Sequence, residues 1–387
     1  MRTYTRTHSW ISFELDLREA SHRLWLLLGE AQSKVSHVAG VPLLPSVQNQ
    51  LYQLYLAKGV LATTAIEGNT LTEEEVLKRI EGKLELPPSK EYLGKEIDNI
   101  VQACREIAER VIQTETALMK VDTIKHYNRV VLDGLPISEE VIPGEIRSHS
   151  VVVGAYRSAP AKDCGYLLER LCSWLNESFP APSGYEIAFG ILKAVVAHLY
   201  LAWIHPFGDG NGRTARLMEF HILLSAGVPA TAAHLLSNHY NQTRANYYRQ
   251  LDTAHRGHGK ELEFIEYALQ GFIDALREQI DMIKAQQLTV HLINYIHDQF
   301  RGKDSPAHGR RRRLAIALVS QEDPIPVAAV RRITPRMAEA YAAKTDKTVK
   351  RDISFLEQQG LIQRTSRGIR IRSEIMLAYL PPVRQVE

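Results

Sequence analysis

Residues 194–217 read AVVAHLYLAWIHPFGDGNGRTARL, an apolar helical stretch that stops at His205-Pro206 and a second helix that starts near Gly212. The loop between them holds Gly208, Gly210 and Gly212, which let the backbone amides turn inward without obstruction by a Cβ. A helix N-terminus directly behind such amides favours a bound anion, so the loop reads as a phosphate cradle. Arg213 and Arg216 lie three apart at the start of the second helix and bring two guanidinium forks to one ligand. Asp209 would repel phosphate unless a cation lies between them, which is how Mg²⁺ is commonly shared, so a Mg-nucleotide is the expected ligand. His205 at the mouth is suited to take a proton from an attacking hydroxyl near neutral pH.

Taken together, His205-Pro-Phe-Gly-Asp-Gly-Asn-Gly-Arg-Thr-Ala-Arg216 resembles the motif His-Pro-Phe-x-Asp/Glu-Gly-Asn-Gly-Arg-x-x-Arg of Fic proteins, with every defining position filled. The resemblance implies a protein adenylyltransferase that moves AMP from ATP onto a Ser, Thr or Tyr hydroxyl of a protein, its own chain included. It implies His205 as base, Asp209 as Mg²⁺ ligand, and Gly208, Gly210, Asn211, Gly212, Arg213 and Arg216 as the ATP phosphate site. Phe207 is expected to anchor the loop from beneath. Relatives with Lys at the position of Gly212 phosphorylate instead, so Gly212 points to AMP transfer.

The segment Thr63-Thr-Ala-Ile-Glu67-Gly68 resembles the family's inhibitory motif, in which the glutamate pairs with the second arginine and blocks the γ-phosphate. Glu67 is therefore expected to pair with Arg216 and hold the chain inactive. In some relatives this glutamate also supports removal of AMP, which the resemblance allows as a second activity. Asn246-Tyr247-Tyr248-Arg249-Gln250-Leu251 resembles the helix that lines the family's adenine pocket, which implies that Tyr247 and Tyr248 flank the base. Arg147–Gly154, with Val151, Val152 and Val153, resembles the β-hairpin flap that pairs with the target backbone; a core strand is the other reading of the three valines.

The wider sequence predicts a mainly α chain. Apolar residues recur at helical spacing over 45–68, 90–116, 121–133, 163–179, 184–204, 212–226 and 260–284, and Thr72 with Glu75 forms a capping box. Trp10, Phe13, Leu15 and Leu17 are expected to pack on the body. No apolar run is read as a membrane span, the N-terminus lacks a signal-peptide pattern, and a cytoplasmic location is expected. Cys104, Cys164 and Cys172, odd in number and without Cys-x-x-Cys spacing, argue against disulfides and structural zinc.

Charge divides the chain. Its 47 Lys and Arg against 44 Asp and Glu conceal a tail from residue 291 with 18 basic and 10 acidic side chains, leaving 29 and 34 elsewhere. Thr345–Gln359 followed by Leu361–Arg372 resembles the recognition helix and wing of a winged helix-turn-helix, with Lys347, Lys350, Arg351, Arg367, Arg370 and Arg372 placed to meet DNA phosphates. A protein-interaction module is the other reading of this unit. The expected organisation is a Fic-associated helical region over 1–110 with the inhibitory helix at about 45–68, a Fic catalytic core over 111–285, and a winged-helix domain over 290–380. Two alternatives stay open: transfer of UMP or another phosphate-linked group, and a nucleotide-sensing DNA-binding regulator. Homodimerisation is compatible with this reading, and no membrane partner is expected.

Overall fold

The computed structural model describes residues 2–113, 118–154, 156–257 and 259–377. Residues 114–116 of the helix expected over 90–116, Ala155 next in sequence to the expected flap, and 378–380 at the end of the expected C-terminal domain lie outside the described residues. The fold is mostly helical, as the periodicity predicts. Two compact units divide within one helix, at Gln279 and Ile280.

The first unit runs α1 (Tyr4–Thr7), α2 (His22–Gly40), α3 (Pro45–Ala65), α4 (Glu73–Ile80), α5 (Glu91–Gln113), α6 (Val121–Leu132), β1 (Val152–Val153), β2 (Tyr156–Arg157), α7 (Ala161–Glu177), α8 (Glu186–Ile204), α9 (Asn211–Ser225), α10 (Ala230–Ala233), α11 (Leu235–Gln242), α12 (Arg244–Ala254) and the first part of α13 (Lys260–Gln299). α8 and α9 form the centre, with α2 and α7 packed on α8, and α5 and α6 packed on α9. α8 is long and apolar enough to cross a membrane, a run that the sequence expectation passes over. Its apolar character has a local cause, because Ile191, Leu192, Val195, Val196, Leu199 and Leu201 are all buried by neighbouring helices.

α3 begins with Pro45 in its first turn, where a missing N–H costs nothing, and packs on α4, α5, α10 and α11. Thr72 and Glu75 close the expected capping box at the start of α4. The N-terminal aromatic residues dock as expected: Phe13 packs on Trp174 and Tyr200, and Trp10 on Tyr156 and His255. α2 has no counterpart among the expected helices, although Ser21 caps it and Leu24, Leu27, Leu28, Ala31, Val35 and Val38 form its buried face. α13 also departs from expectation, running fifteen residues past 284 without interruption, since no Gly or Pro occurs between Gly271 and Gly302.

The second unit contains the rest of α13, α14 (Pro306–Val319), α15 (Pro335–Tyr341), α16 (Asp346–Gln358) and an antiparallel hairpin of β3 (Ile362–Thr365) and β4 (Gly368–Ile371). Residue Ile325 bridges to Ile369 on the hairpin's outer edge. Leu314, Leu318, Val330, Met337, Ile353 and Leu356 supply much of its core. Asp352 is buried among them, its charge met by Arg310 and Arg311 at 2.7 and 2.8 Å and by the Tyr341 hydroxyl at 3.1 Å.

Phe207 ties the loop to the core. Its ring is 1% exposed, while its backbone N–H donates to Asn211 Oδ1 and its carbonyl accepts from Asn211 Nδ2, both at 2.9 Å. Phe207→Ala is expected to lower unfolding free energy by about 3–5 kcal/mol, as for other buried aromatic truncations. Chemical denaturation read by circular dichroism measures this, and a loss below about 1 kcal/mol would contradict the anchoring role.

Candidate active site

α8 ends where His205 enters the left-handed region at φ 48°, and Pro206 follows. Among the described residues only Phe13 and His205 adopt positive φ without being glycine. Such a conformation costs on the order of 1–2 kcal/mol and persists only where surrounding contacts impose it. The contacts here come from Arg147, whose Nε donates to the His205 carbonyl at 2.7 Å and whose backbone N–H donates to the Pro206 carbonyl at 3.0 Å.

The loop then turns into α9 through Gly210, at φ 75°. Asn128 on α6 braces it: its Nδ2 donates to the Asp209 carbonyl at 2.9 Å, and its Oδ1 accepts from Gly144 N–H at 2.9 Å. Gly208 and Gly212 meet a different constraint, close approach of side chains. A Cβ on Gly208 would lie 2.9 Å from Val141, and one on Gly212 would lie 2.2 Å from Glu67 Oε1.

Arg216 is buried, and its Nη2 donates to Glu67 Oε1 at 2.6 Å and to the Thr63 carbonyl at 2.9 Å. Burial alone would raise the Glu67 carboxyl, but Arg216, with help from Arg213 and His205, holds it below the ordinary carboxylate value. The end of α3 is also gripped by Arg244, whose Nη1 donates to the Ala65 carbonyl, and by the Tyr248 hydroxyl, which donates to the Ile66 carbonyl, each at 3.2 Å.

Arg213 takes another path. Its Nη1 donates to Glu96 Oε1 on α5 at 2.6 Å, and its Nη2 reaches Asp209 at 3.3 Å. Glu96 Oε2 in turn accepts from Asn69 Nδ2 at 2.9 Å, two residues beyond Glu67. Each arginine is therefore paired with a separate carboxylate, Arg216 with Glu67 and Arg213 with Glu96. Nε of both Arg213 and Arg216 is buried without a hydrogen-bond partner.

Beside the loop lies a cavity of about 650 Å³. Glu67, His205, Asn211, Gly212 and Arg216 line one part, Val153, Gly154 and Tyr156 of the hairpin another, and Tyr247, Tyr248 and Leu251 of α12 a third. Tyr247 is buried with its hydroxyl 2.8 Å from His198 Nε2, while Tyr248 is partly exposed. Burial, and then the Arg147 charge, push the His205 imidazole down to about 4, against the opposing influence of Ala202, Glu67 and Asp209. At neutral pH the ring is uncharged, the form that accepts a proton.

Among the described residues no group of three His, Cys, Asp or Glu side chains could cage a metal ion. Asp209 is a single, half-exposed carboxylate at the loop. One carboxylate beside substrate phosphates is a usual arrangement for Mg²⁺, so the residues fit a nucleotide-borne ion rather than a resident one.

The expected flap is present as the short hairpin of β1 and β2, with Val152 opposite Arg157 and Val153 opposite Tyr156. Val152 and Val153 are exposed, which rules out the core-strand reading for these two. Sequence reasoning names neither Glu96, Asn69, Asn128 nor Arg147 as site residues beyond Arg147's place at the flap. A polar residue on the buried face of an otherwise apolar helix is the available signal for Glu96 and Asn128.

A strand-free centre, a glycine loop between two buried helices and a hairpin beside it define a Fic-type fold. The chain carries a Fic domain, since residues 118–223 match the model of the Fic/DOC family. Over 232 residues it is 30% identical to protein adenylyltransferase fic-1 of Caenorhabditis briggsae, covering 59% of this chain and 41% of that protein. Over 261 residues it is 28% identical to protein adenylyltransferase fic-1 of Caenorhabditis elegans, covering 66% and 47%. The crystal structure of a Fic family protein from Desulfovibrio desulfuricans G20 shares the fold, with a TM-score of 0.55 at 21% identity over 91% of this chain and 96% of that one. The chain spans less than half the length of the two curated relatives.

Proposed function

We propose that this chain is a protein adenylyltransferase that transfers AMP from ATP to a Ser, Thr or Tyr hydroxyl of a protein and is held inactive by Glu67. The observation that carries this reading is the cavity in which His205, Arg216 and Gly212 face Tyr247 and Tyr248, a phosphate end and an aromatic end in one space. The neutral His205 ring takes the proton of the acceptor hydroxyl as its oxygen bonds to the α-phosphorus, and the bond to the β-phosphate oxygen breaks, releasing pyrophosphate. Arg213, Arg216 and the amides of Gly210 to Gly212 bind the phosphates and stabilise the leaving charge. Mg²⁺, held by Asp209 with the phosphates, supplies further neutralisation when bound.

ATP labelled on the α-phosphate should mark protein acceptors, and ATP labelled on the γ-phosphate should not. Label from the γ position would replace AMP transfer by phosphorylation, and stronger labelling from UTP would replace AMP by UMP.

A second activity is proposed for the C-terminal unit, duplex DNA binding through α16. Its acids are already occupied, Asp346 by Arg331, Asp352 by Arg310 and Arg311, and Glu357 by Arg364. Lys347, Lys350 and Arg351 are exposed on one helix face and form no ion pair among the described residues. Three phosphate contacts predict a log affinity that falls with log salt at a slope near −3, at roughly −0.9 per contact. Lys347→Gln with Lys350→Gln should flatten that slope by about two. Binding that ignores salt would indicate a protein partner instead.

A further inference from the structure

Arg147 is a buried guanidinium with no carboxylate partner among the described residues. Its donors go to groups that lie on both sides of the hairpin and on the loop. Nη1 donates to the His149 carbonyl before β1, Nη2 donates to Ser158 Oγ at 2.9 Å and to the Ala159 carbonyl after β2, and Nε donates to the His205 carbonyl. Ser158 Oγ itself donates to the Val151 carbonyl at 2.7 Å, closing the hairpin's base across the same fork. A planar five-donor group is the only side chain that can satisfy acceptors spread in this way.

A buried guanidinium without a counter-ion is costly, and removing it would leave the carbonyls and the hydroxyl it serves without their donor. These contacts join the His205 backbone to both ends of the hairpin, so Arg147 bears on the geometry of the site as well as on stability. We propose that Arg147 is a positioning residue for the transfer reaction, fixing the His205 backbone and the acceptor-binding hairpin to each other so that base and incoming hydroxyl are held in one geometry. This rests on the reading of His205 as the base and of the hairpin as the acceptor edge.

The same charge acts on the imidazole. The charged groups around His205 are Arg147 from the hairpin base, Glu67 from the turn after α3, Asp209 in the loop and Arg216 on α9, with Arg249 and Asp252 of α12 across the cavity. Arg147 is the cation with the largest named influence on the ring, and it opposes protonation. Removing it should raise the ring's midpoint, whereas a lysine should keep the charge while losing the fork.

The test uses the full chain with Arg147→Met and Arg147→Lys, each in a Glu67→Gly background so that transfer is measurable. For Arg147→Met we expect transfer to fall by about 100-fold, the scale of a misplaced reacting group, with ATP affinity unchanged. The acid limb of its rate profile should move up by about one pH unit, as expected for loss of a cation that opposes protonation of the ring. Arg147→Lys should lose rate comparably but keep the acid limb of the Glu67→Gly parent. A purely structural role would lower the melting temperature without moving the limb, and that result, or an unchanged rate, overturns the proposal. A parallel arm needs no activity: NMR titration of the His205 ring and amide exchange at Val152 and Val153. Both should change in Arg147→Met. If the parent chain transfers nothing, the functional reading fails, while this arm still decides whether Arg147 fixes base and hairpin.

Discussion

Glu67→Gly is expected to raise AMP transfer by roughly 10- to 100-fold over wild type, the equivalent of about 1.5–3 kcal/mol for a hydrogen bond between charged groups. The Glu67 carboxylate sits 2.6 Å from Arg216 Nη2 and occupies the space beside Gly212 where a Cβ would collide with it. A phosphate bound by Arg216 must take that space. Removing the carboxylate frees both the donor and the volume, so the gain should appear in productive ATP binding as well as in rate. Acid is a poor substitute for the mutation. Because the folded carboxyl is held below its ordinary value, the pairing contributes stability above the unfolded pKa and is lost only as pH falls through the lowered folded one. Transfer by the variant and by wild type measured with α-labelled ATP decides the matter, and equal labelling would end the gating proposal.

His205→Ala in the same background should lower transfer by about 100- to 10,000-fold, the usual contribution of a general base. The left-handed backbone at His205 complicates this substitution, since alanine there carries a conformational cost as well as a chemical one. Asparagine tolerates that region better, so His205→Asn separates the two. Both variants should lose transfer while only His205→Ala loses stability, and a melting curve reads the difference. Transfer within tenfold of the parent in His205→Asn would remove His205 from the role of base.

Much of this was legible in the sequence because the decisive residues are contiguous. Twelve positions from His205 to Arg216 define the loop, and its flanking helices follow from apolar periodicity and the stop at Pro206. The Glu67–Arg216 contact joins residues 149 apart and was legible only through the resemblance of Thr63–Gly68 to a known motif. No comparable pattern announces Glu96, which meets Arg213 across 117 residues, or Arg147, whose partners are mainly backbone carbonyls. Backbone acceptors leave no trace in residue identity. The omission of α2 is different in kind, since its cap and buried stripe are plain in the sequence. Over 260–299 the error was one of length, because the expected boundary near 285 coincides with no helix-breaking residue.

The carbonyls at the end of α3 bear on how natural activation is to be sought. Thr63, Ala65 and Ile66 are held by Arg216, Arg244 and Tyr248, and none of these bonds involves the Glu67 side chain. Glu67→Gly therefore clears the phosphate space while the helix end stays docked. An activator that displaces the helix end would break these bonds, which produces a different molecular species from the mutant. If Glu67→Gly is active in the docked form, as predicted above, a screen for such activators run on that variant would be blind to them. The wild-type chain is then the instrument for finding what undocks the helix end.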